Sequence, residues 1–393
     1  LADLAGIAGY RDCAAAMTTL QCLDSLAAVP DTIWDALVPA DQPFLSHAFL
    51  SALESTGCVG DGTGWQSAHA VLTDADGTWL AAMPGWRKLH SRGEYVFDQG
   101  WAEASQRAGL RYYPKWLSAV PFSPITGPRL LGEVDAVREL LKQLPTHEAW
   151  SDCSGLHVNF TNSANDVLFA EDSRWLHRRD CQFRWQQRGY ADFEAFLSQL
   201  TADRRKKIRQ ERRKIAQAGL SFLWRNGGDC DAGLQARLYA CYANTYAVRG
   251  QQPYLTPAFF QQIFVTMPDV VQVLCVERDG ELIAMALFLA GSETLYGRYW
   301  GALDDVPLLH FEACLYQGIE RAIERGFRFF DAGAQGEHKL IRGFEPVLTS
   351  SWHLLRHAGL HHAVADFLVR ERAGVEAYQR SAITACPLKA MVV

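Results

Sequence analysis

Apolar and polar positions alternate with period two and then widen to helical spacing, in the same order twice along the chain. Ala68 to Thr73 reads as a strand that turns at Asp76-Gly77 and returns through Trp79 to Met83. The same pattern recurs where Val271 to Glu277 turns at Asp279-Gly280 and returns through Leu282 to Leu289. A short amphipathic helix precedes each hairpin. Pro43-Phe44-Leu45-Ser46-His47-Ala48-Phe49-Leu50 reappears as Pro253-Tyr254-Leu255-Thr256-Pro257-Ala258-Phe259-Phe260, with Ser46 and Thr256 as helix N-caps. A third echo pairs Arg107-Ala108-Gly109-Leu110-Arg111-Tyr112-Tyr113 with Arg325-Gly326-Phe327-Arg328-Phe329-Phe330, each after a helix and before a strand. The offsets change between elements but not within them, as loop insertions in a duplicated unit produce.

Each copy therefore predicts a helix, a hairpin, a further strand, a helix of about four turns (Phe311 to Arg325 in the second copy) and another strand. That order implies an α/β fold, a mixed and largely antiparallel sheet covered by helices. Between the copies, Phe193 to Leu200 and Ala202 to Ala218 predict a helical pair ended by Gly219, with the strand Leu220 to Arg225 following. Leu295 to Gly301 alternates as a strand, which places Tyr296, Arg298 and Trp300 on one face and Leu295, Gly297 and Tyr299 on the other. His353, His357 and His361 have the spacing of a helical metal site, but Ser350 to Leu355 reads as a strand and breaks their alignment, so no metal is expected. The length of 393 residues suggests two domains, 17–180 and 181–393, with residues 1–16 an extension ahead of Met17.

Composition narrows the class. With 49% apolar and 21% charged residues the chain is globular. Its longest apolar stretch, Leu282 to Ala290, is about half of what a spanning helix requires, and the first residues lack a signal peptide's order, so a cytoplasmic protein without membrane insertion is expected. Ten scattered cysteines without a C-x-x-C pair predict reduced thiols. The net charge of −6 provides no global attraction for nucleic acid, yet eight of the eleven residues from Arg204 to Lys214 are basic. That run is either a solvated face or a site for nucleotide, coenzyme or RNA phosphates, with Arg205, Lys206 and Arg209 as contacts.

The densest polar string runs from Asp331 to Pro346, after the strand Arg328 to Phe330. Gly333 and Gly336 would let the backbone approach a ligand, and Glu337 and His338 are the available proton acceptors. Lys339 and Arg342, three apart, suit an anion or a carbonyl that gains negative charge; the bland alternative is an ion-paired loop. Arg298, among aromatics, is either an anion contact or a packed side chain. His310 and Glu312 open a helix, where capping is the simpler role. In the first half, Tyr112-Tyr113-Pro114-Lys115-Trp116 and Pro121 to Arg129 form an aromatic, proline-rich patch with two cations, either rigid turns or the floor of a substrate groove.

These strings carry a resemblance. Tyr112-Tyr113-Pro114-Lys115, Pro121-Phe122-Ser123-Pro124 through Leu131, Leu295-Tyr296-Gly297-Arg298-Tyr299-Trp300-Gly301, His310-Phe311-Glu312 and Gly333-Ala334-Gln335-Gly336-Glu337-His338-Lys339 with Arg342-Gly343-Phe344 resemble the FemAB-like family of predicted N-acyltransferases of peptidoglycan biosynthesis or recognition. The resemblance covers about Asp41 to Pro387. It implies tandem domains of the general N-acetyltransferase (GNAT) superfamily. It also implies transfer of an acyl or aminoacyl group to an amine, on a small molecule or a cell-wall peptide.

The relatives place a basic helical insertion where Arg204 to Lys214 lies, and use it to hold tRNA. Here the helix is much shorter, and the coenzyme A phosphate loop of simple acetyltransferases is not evident. Acyl-CoA and aminoacyl-tRNA both stay open as donors. The expected assignment is Glu337 or His338 as base, Lys339 at the oxyanion, Arg298 and Arg342 for anions, and Tyr296 or Tyr299 as acid or positioner. Trp300, Gln335, Tyr113, Lys115 and Arg129 are expected substrate contacts. Two other classes remain: a silent peptide-recognition module, and an RNA-binding protein that uses the basic helix.

Overall fold

The computed structural model describes residues 18–334 and 336–389; Gln335 and the extension expected at 1–16 lie outside the described residues. Among the described residues the strands are β1 (Thr19–Leu23), β2 (Trp65–Ser67), β3 (His69–Thr73), β4 (Trp79–Met83), β5 (Trp86–Lys88), β6 (Lys115–Ser118), β7 (Leu131–Gly132) and β8 (Gly155–Thr161). They continue with β9 (Leu176–Gln186), β10 (Leu220–Asn226), β11 (Val271–Arg278), β12 (Glu281–Ala290), β13 (Thr294–Ala302), β14 (Phe329–Asp331) and β15 (Glu345–Leu355). Both predicted hairpins form, as β3–β4 and β11–β12.

The strands make a four-stranded sheet, β1-β3-β4-β7, and an eleven-stranded sheet, β10-β11-β12-β13-β14-β9-β15-β8-β6-β5-β2. Neighbours are antiparallel except β13 with β14 and β6 with β8, and each of those parallel pairs is joined by a crossover that contains a helix. The large sheet is continuous through both halves of the sequence. Strand β9 pairs with β14 on one side and β15 on the other, and β15 goes on to pair with β8. Residues 180 and 181, the expected domain boundary, therefore lie inside one strand.

The duplicated motifs meet in the core. Helices His47–Ser55 and Pro257–Thr266 pack together, and the equivalent rings of Phe49 and Phe259 touch edge to face, 5.5 Å between centroids. Their N-caps match: Ser46 Oγ accepts from the Phe49 amide at 3.3 Å and Thr256 Oγ1 from the Phe259 amide at 3.2 Å.

Two glycines set how closely helices approach the sheet beside the site. A Cβ on Gly301 of β13 would stand 1.9 Å from the Cys241 carbonyl oxygen, in the helix Ala232–Ala247. A Cβ on Gly318 would stand 2.3 Å from the Phe330 ring of β14. Gly318 belongs to the predicted four-turn helix, which forms in three stretches: Leu309–Phe311, a π-helical turn Glu312–Tyr316, and Gln317–Glu324.

Candidate functional site

A cavity of about 280 Å³ opens where β13 and β14 part. These strands pair only at Thr294–Phe329, Leu295–Phe330 and Tyr296–Asp331. Beyond Asp331 the chain leaves the sheet through Gly333, whose φ of 86° is the left-handed region glycine favours. Strand β13 continues, paired with β12 on its other side, and presents Arg298, Tyr299 and Trp300 to the gap.

Strict alternation along β13 fails here. Leu287 pairs with Tyr299 but Phe288 with Gly297, so Arg298 is the extra residue of a β-bulge. Tyr296 and Tyr299 consequently join one hydrophobic core, and Leu295 packs with Trp300 in another. The face expected for Tyr296, Arg298 and Trp300 is corrected: the three do not share it.

Arg298 Nη1 donates to Asp331 Oδ1 at 3.1 Å and to the Gly297 carbonyl at 2.8 Å. Burial pushes the Asp331 carboxyl up, but the charge and hydrogen bond of Arg298 and the Gly333 amide, 2.9 Å away, outweigh it and hold the group below its ordinary value. The Gly333 N–H is thereby committed within the loop, and its carbonyl accepts from Lys339 Nζ. Lys339 is 2% exposed. Burial, helped by Arg298 and opposed by Asp331, lowers its pKa to about 8. It stands on a short 3₁₀ turn, Glu337–Arg342, that follows Gly336 at φ 104°.

Two histidines line the same cavity. Burial, reinforced by His338, Lys339 and Arg342, lowers His310 to about 4; burial, then Lys339 and Arg342, lowers His338. Their rings are 6.1 Å apart, and His310 lies edge-on to Trp300 at 5.5 Å. Both imidazoles are thus kept neutral and able to accept a proton. Tyr242, Thr245, Tyr246 and Arg249 form a second wall, and Tyr95, Phe122 and Pro124 of the first half close a third.

Other expected residues lie elsewhere. Glu337 is exposed and accepts from Tyr378 Oη at 3.0 Å, outside the cavity lining. Arg342 is buried and fully engaged: Nε donates to Tyr316 Oη at 2.7 Å, Nη1 to the His338 carbonyl at 2.9 Å and Nη2 to Glu211 at 2.9 Å, and its guanidinium lies 3.7 Å from the centre of the Phe311 ring. It fastens the turn that carries Lys339 rather than facing the cavity. Tyr296 Oη donates to the Asp41 carbonyl at 3.0 Å.

Lys115 is enclosed by Glu94 and Asp98, and Tyr113 Oη shares a 2.7 Å hydrogen bond with Ser91. Arg129 is fully buried and donates to the backbone carbonyls of Asn159, Pro128 and Ile125. There the chain around Gly127 returns to bridge Thr161, so the gap beside the parallel pair β6–β8 is filled. The β13–β14 gap is open.

The basic helix Ala202–Ala216 turns Ile208, Glu211 and Ile215 inward, and Arg212 clamps Glu312 at 2.9 Å and Glu320 at 2.7 Å. Glu312 is thus an ion-pair partner rather than a helix cap. Arg205 donates to the Ser198 carbonyl, Arg209 pairs with Glu194, and Lys206 is exposed; none of the three lines the cavity. Among the described residues no group of three or more His, Cys, Asp or Glu is placed to hold a metal ion, and no helix is long and apolar enough to cross a membrane.

The tyrosine wall was missed in the sequence, although Tyr239, Tyr242 and Tyr246 recur at helical spacing. Tyr95 carries no local signal at all, because it reaches the cavity only through tertiary packing.

Solved structures share this fold. FemX matches at 10% identity and a TM-score of 0.51, covering 86% of this chain and 98% of its own. A conserved protein of unknown function from Bacteroides thetaiotaomicron matches at 12% identity and 0.53, covering 86% and 100%. A C-terminal domain assigned to a lysylphosphatidylglycerol synthetase of Agrobacterium fabrum matches at 10% identity and 0.50, covering 86% and 94%. No curated protein sequence matches the chain. The model of the FemAB-like family, described as peptidoglycan biosynthesis/recognition, matches residues 25–390, and with nearly the whole fold inside that span the chain belongs to the FemAB-like family.

Proposed function

We propose that the protein is an N-acyltransferase that moves an acyl or aminoacyl group from an activated ester or thioester to an amine. The observation that carries this reading is the convergence, in one cavity at the parting of β13 and β14, of a lysine with a pKa of about 8 and two imidazoles held neutral. The amine nitrogen attacks the acyl carbon, a C–N bond forms, and the C–O or C–S bond to the donor breaks. His338 takes the proton that the amine loses, with His310 beside it, and that proton passes to the departing alkoxide or thiolate. Protonated Lys339 stabilises the oxyanion between the two steps. Tyr299 and Trp300 position the substrate. The committed Gly333 amide and the outward Glu337 have no part in the chemistry.

For the donor, the exposed side of the basic helix offers Arg204, Lys206, Lys207, Arg213 and Lys214, which supports a polyanionic carrier such as aminoacyl-tRNA over a small coenzyme. The acceptor amine fits the family's cell-wall setting. The test incubates purified protein with an acyl-CoA series or with charged tRNA and a peptide amine, and follows N-acylated product by mass spectrometry. Product that is lost in His338→Ala and Lys339→Met, in folded protein, supports the reading. Absence of product with every donor, with binding of peptide alone, would leave a recognition module in its place.

A further inference from the structure

Arg298 and Tyr299 are neighbours in sequence, and in a regular strand they would face opposite sides of the sheet. The bulge at Arg298 turns both to the cavity. Arg298 Nη1 is satisfied by Gly297 and Asp331, but Nε and Nη2, which share the other edge of the guanidinium, have no partner among the described residues although the side chain is only 2% exposed. Tyr299 Oη, in a residue 8% exposed, has the Ser123 hydroxyl beside it and keeps capacity for a further partner. Buried donors without partners are costly, and the two of Arg298, beside the Tyr299 hydroxyl at the cavity, call for a ligand that brings acceptors.

Geometry and charge select the ligand. The Nε/Nη2 edge presents two parallel N–H bonds, matched to two oxygens of one planar group. Within the cavity, Arg298 and Lys339 face a single carboxylate, Asp331, which leaves one positive charge to balance. Arg249 stands at the mouth, where it is exposed to water. One unbalanced charge suits a monoanion rather than a phosphate dianion.

We propose that the acceptor is held by a carboxylate on the same molecule as its reactive amine, as in a free amino acid or a short peptide with a free C-terminus, with Arg298 Nε and Nη2 and Tyr299 Oη as the donors. The proposal rests on the N-acyltransferase reading and names its acceptor class. It assigns Arg298 and Tyr299 as specificity residues, whereas His338 and Lys339 carry the chemistry.

Isothermal titration calorimetry on the full chain tests it with L-alanine, L-lysine and D-alanyl-D-alanine, each against its own C-terminal carboxamide, and with inorganic phosphate. At least one acid is expected to bind tenfold or more tightly than its amide and more tightly than phosphate. Arg298→Gln strands Asp331 without its partner and can unfold the chain, so Tyr299→Phe, which deletes one hydroxyl whose neighbour is the small Ser123, is the deciding variant. It is expected to weaken the acid three- to tenfold and the amide by less, so that the acid-to-amide ratio falls. Equal binding of acids and amides, binding of none of them, a preference for phosphate, or an unaltered acid-to-amide ratio in Tyr299→Phe overturns the proposal. Acylation of acids and amides at equal efficiency would sink the carboxylate site and keep the transferase. Acid-selective binding without product from any donor would do the reverse.

Discussion

Arg298, the extra residue of the β13 bulge, sits 3.1 Å from Asp331, the last paired residue of β14. The ion pair thus bridges the two strands at the point where they separate and holds open the gap that becomes the cavity. Breaking one side of a buried pair leaves an uncompensated charge, at about 3 kcal/mol. Asp331→Asn keeps an acceptor for the Gly333 amide but strands the guanidinium. It is expected to lower the urea midpoint by that amount without changing the slope, and to abolish turnover; a midpoint within error of the parent would refute the bridging role.

Lys339 links stability to pH with a definite sign. Its folded pKa is about 8, below the ordinary lysine value, so between the two the unfolded chain holds more protons and stability rises with pH through that window. Below pH 8 the cost of burying the charge is fully present. Lys339→Met is expected to be more stable than the parent by about 2 kcal/mol at pH 7, with the difference fading as pH approaches the ordinary lysine value. Denaturation curves at several pH values check it. Turnover should fall by about 10²-fold in the same variant, and in the parent it should decline above pH 8 as the ammonium is lost.

Much of this arrangement was legible in the sequence, and the exceptions have physical causes. The α/β class and the two hairpins follow from periodicity and from the Asp-Gly turns, which are local. The Gly333 to Arg342 string marked a loop that borders the cavity, at a strand end that feeds glycine-rich turns. The orientation of its members was not legible. Glu337 and Lys339 are two residues apart on a 3₁₀ turn with three residues per revolution, so one points outward to Tyr378 while the other enters the cavity. The bulge that re-aims Tyr299 depends on pairing with Leu287 and Phe288, which no window of β13 alone contains. Lys115 and Arg129 looked like anion contacts because their partners, Glu94, Asp98 and backbone carbonyls, lie tens of residues away or belong to the main chain.

Arg342 braces the Lys339 turn from behind, through Tyr316 and through Glu211 of the basic helix. Glu211→Ala removes the carboxylate that both Arg342 and Tyr316 use, and is expected to cost about 3 kcal/mol. Because Arg342 also holds the His338 carbonyl, loosening it should disorder the turn and lower kcat. The KM for the acyl donor should stay within twofold, since none of these side chains lines the cavity. A large rise in KM with unchanged kcat would make Arg342 an anion contact after all.

The choice of base can be settled by comparing three side chains of the same region. Glu337 is exposed and tied to Tyr378, so Glu337→Gln should leave turnover within twofold and the melting temperature within a degree or two. His338→Ala removes a neutral imidazole from the cavity and is expected to reduce kcat by 10²-fold or more, at the scale of a lost general base. His310 is more deeply desolvated, held near a pKa of 4, and would be a weak base at neutral pH. His310→Ala should therefore cost less in kcat than His338→Ala and leave the acid limb in place, because the groups that lower His338 besides burial are Lys339 and Arg342. Steady-state rates between pH 5 and 9 for the three variants distinguish these outcomes, and a larger loss in Glu337→Gln than in His338→Ala would transfer the base to the carboxylate.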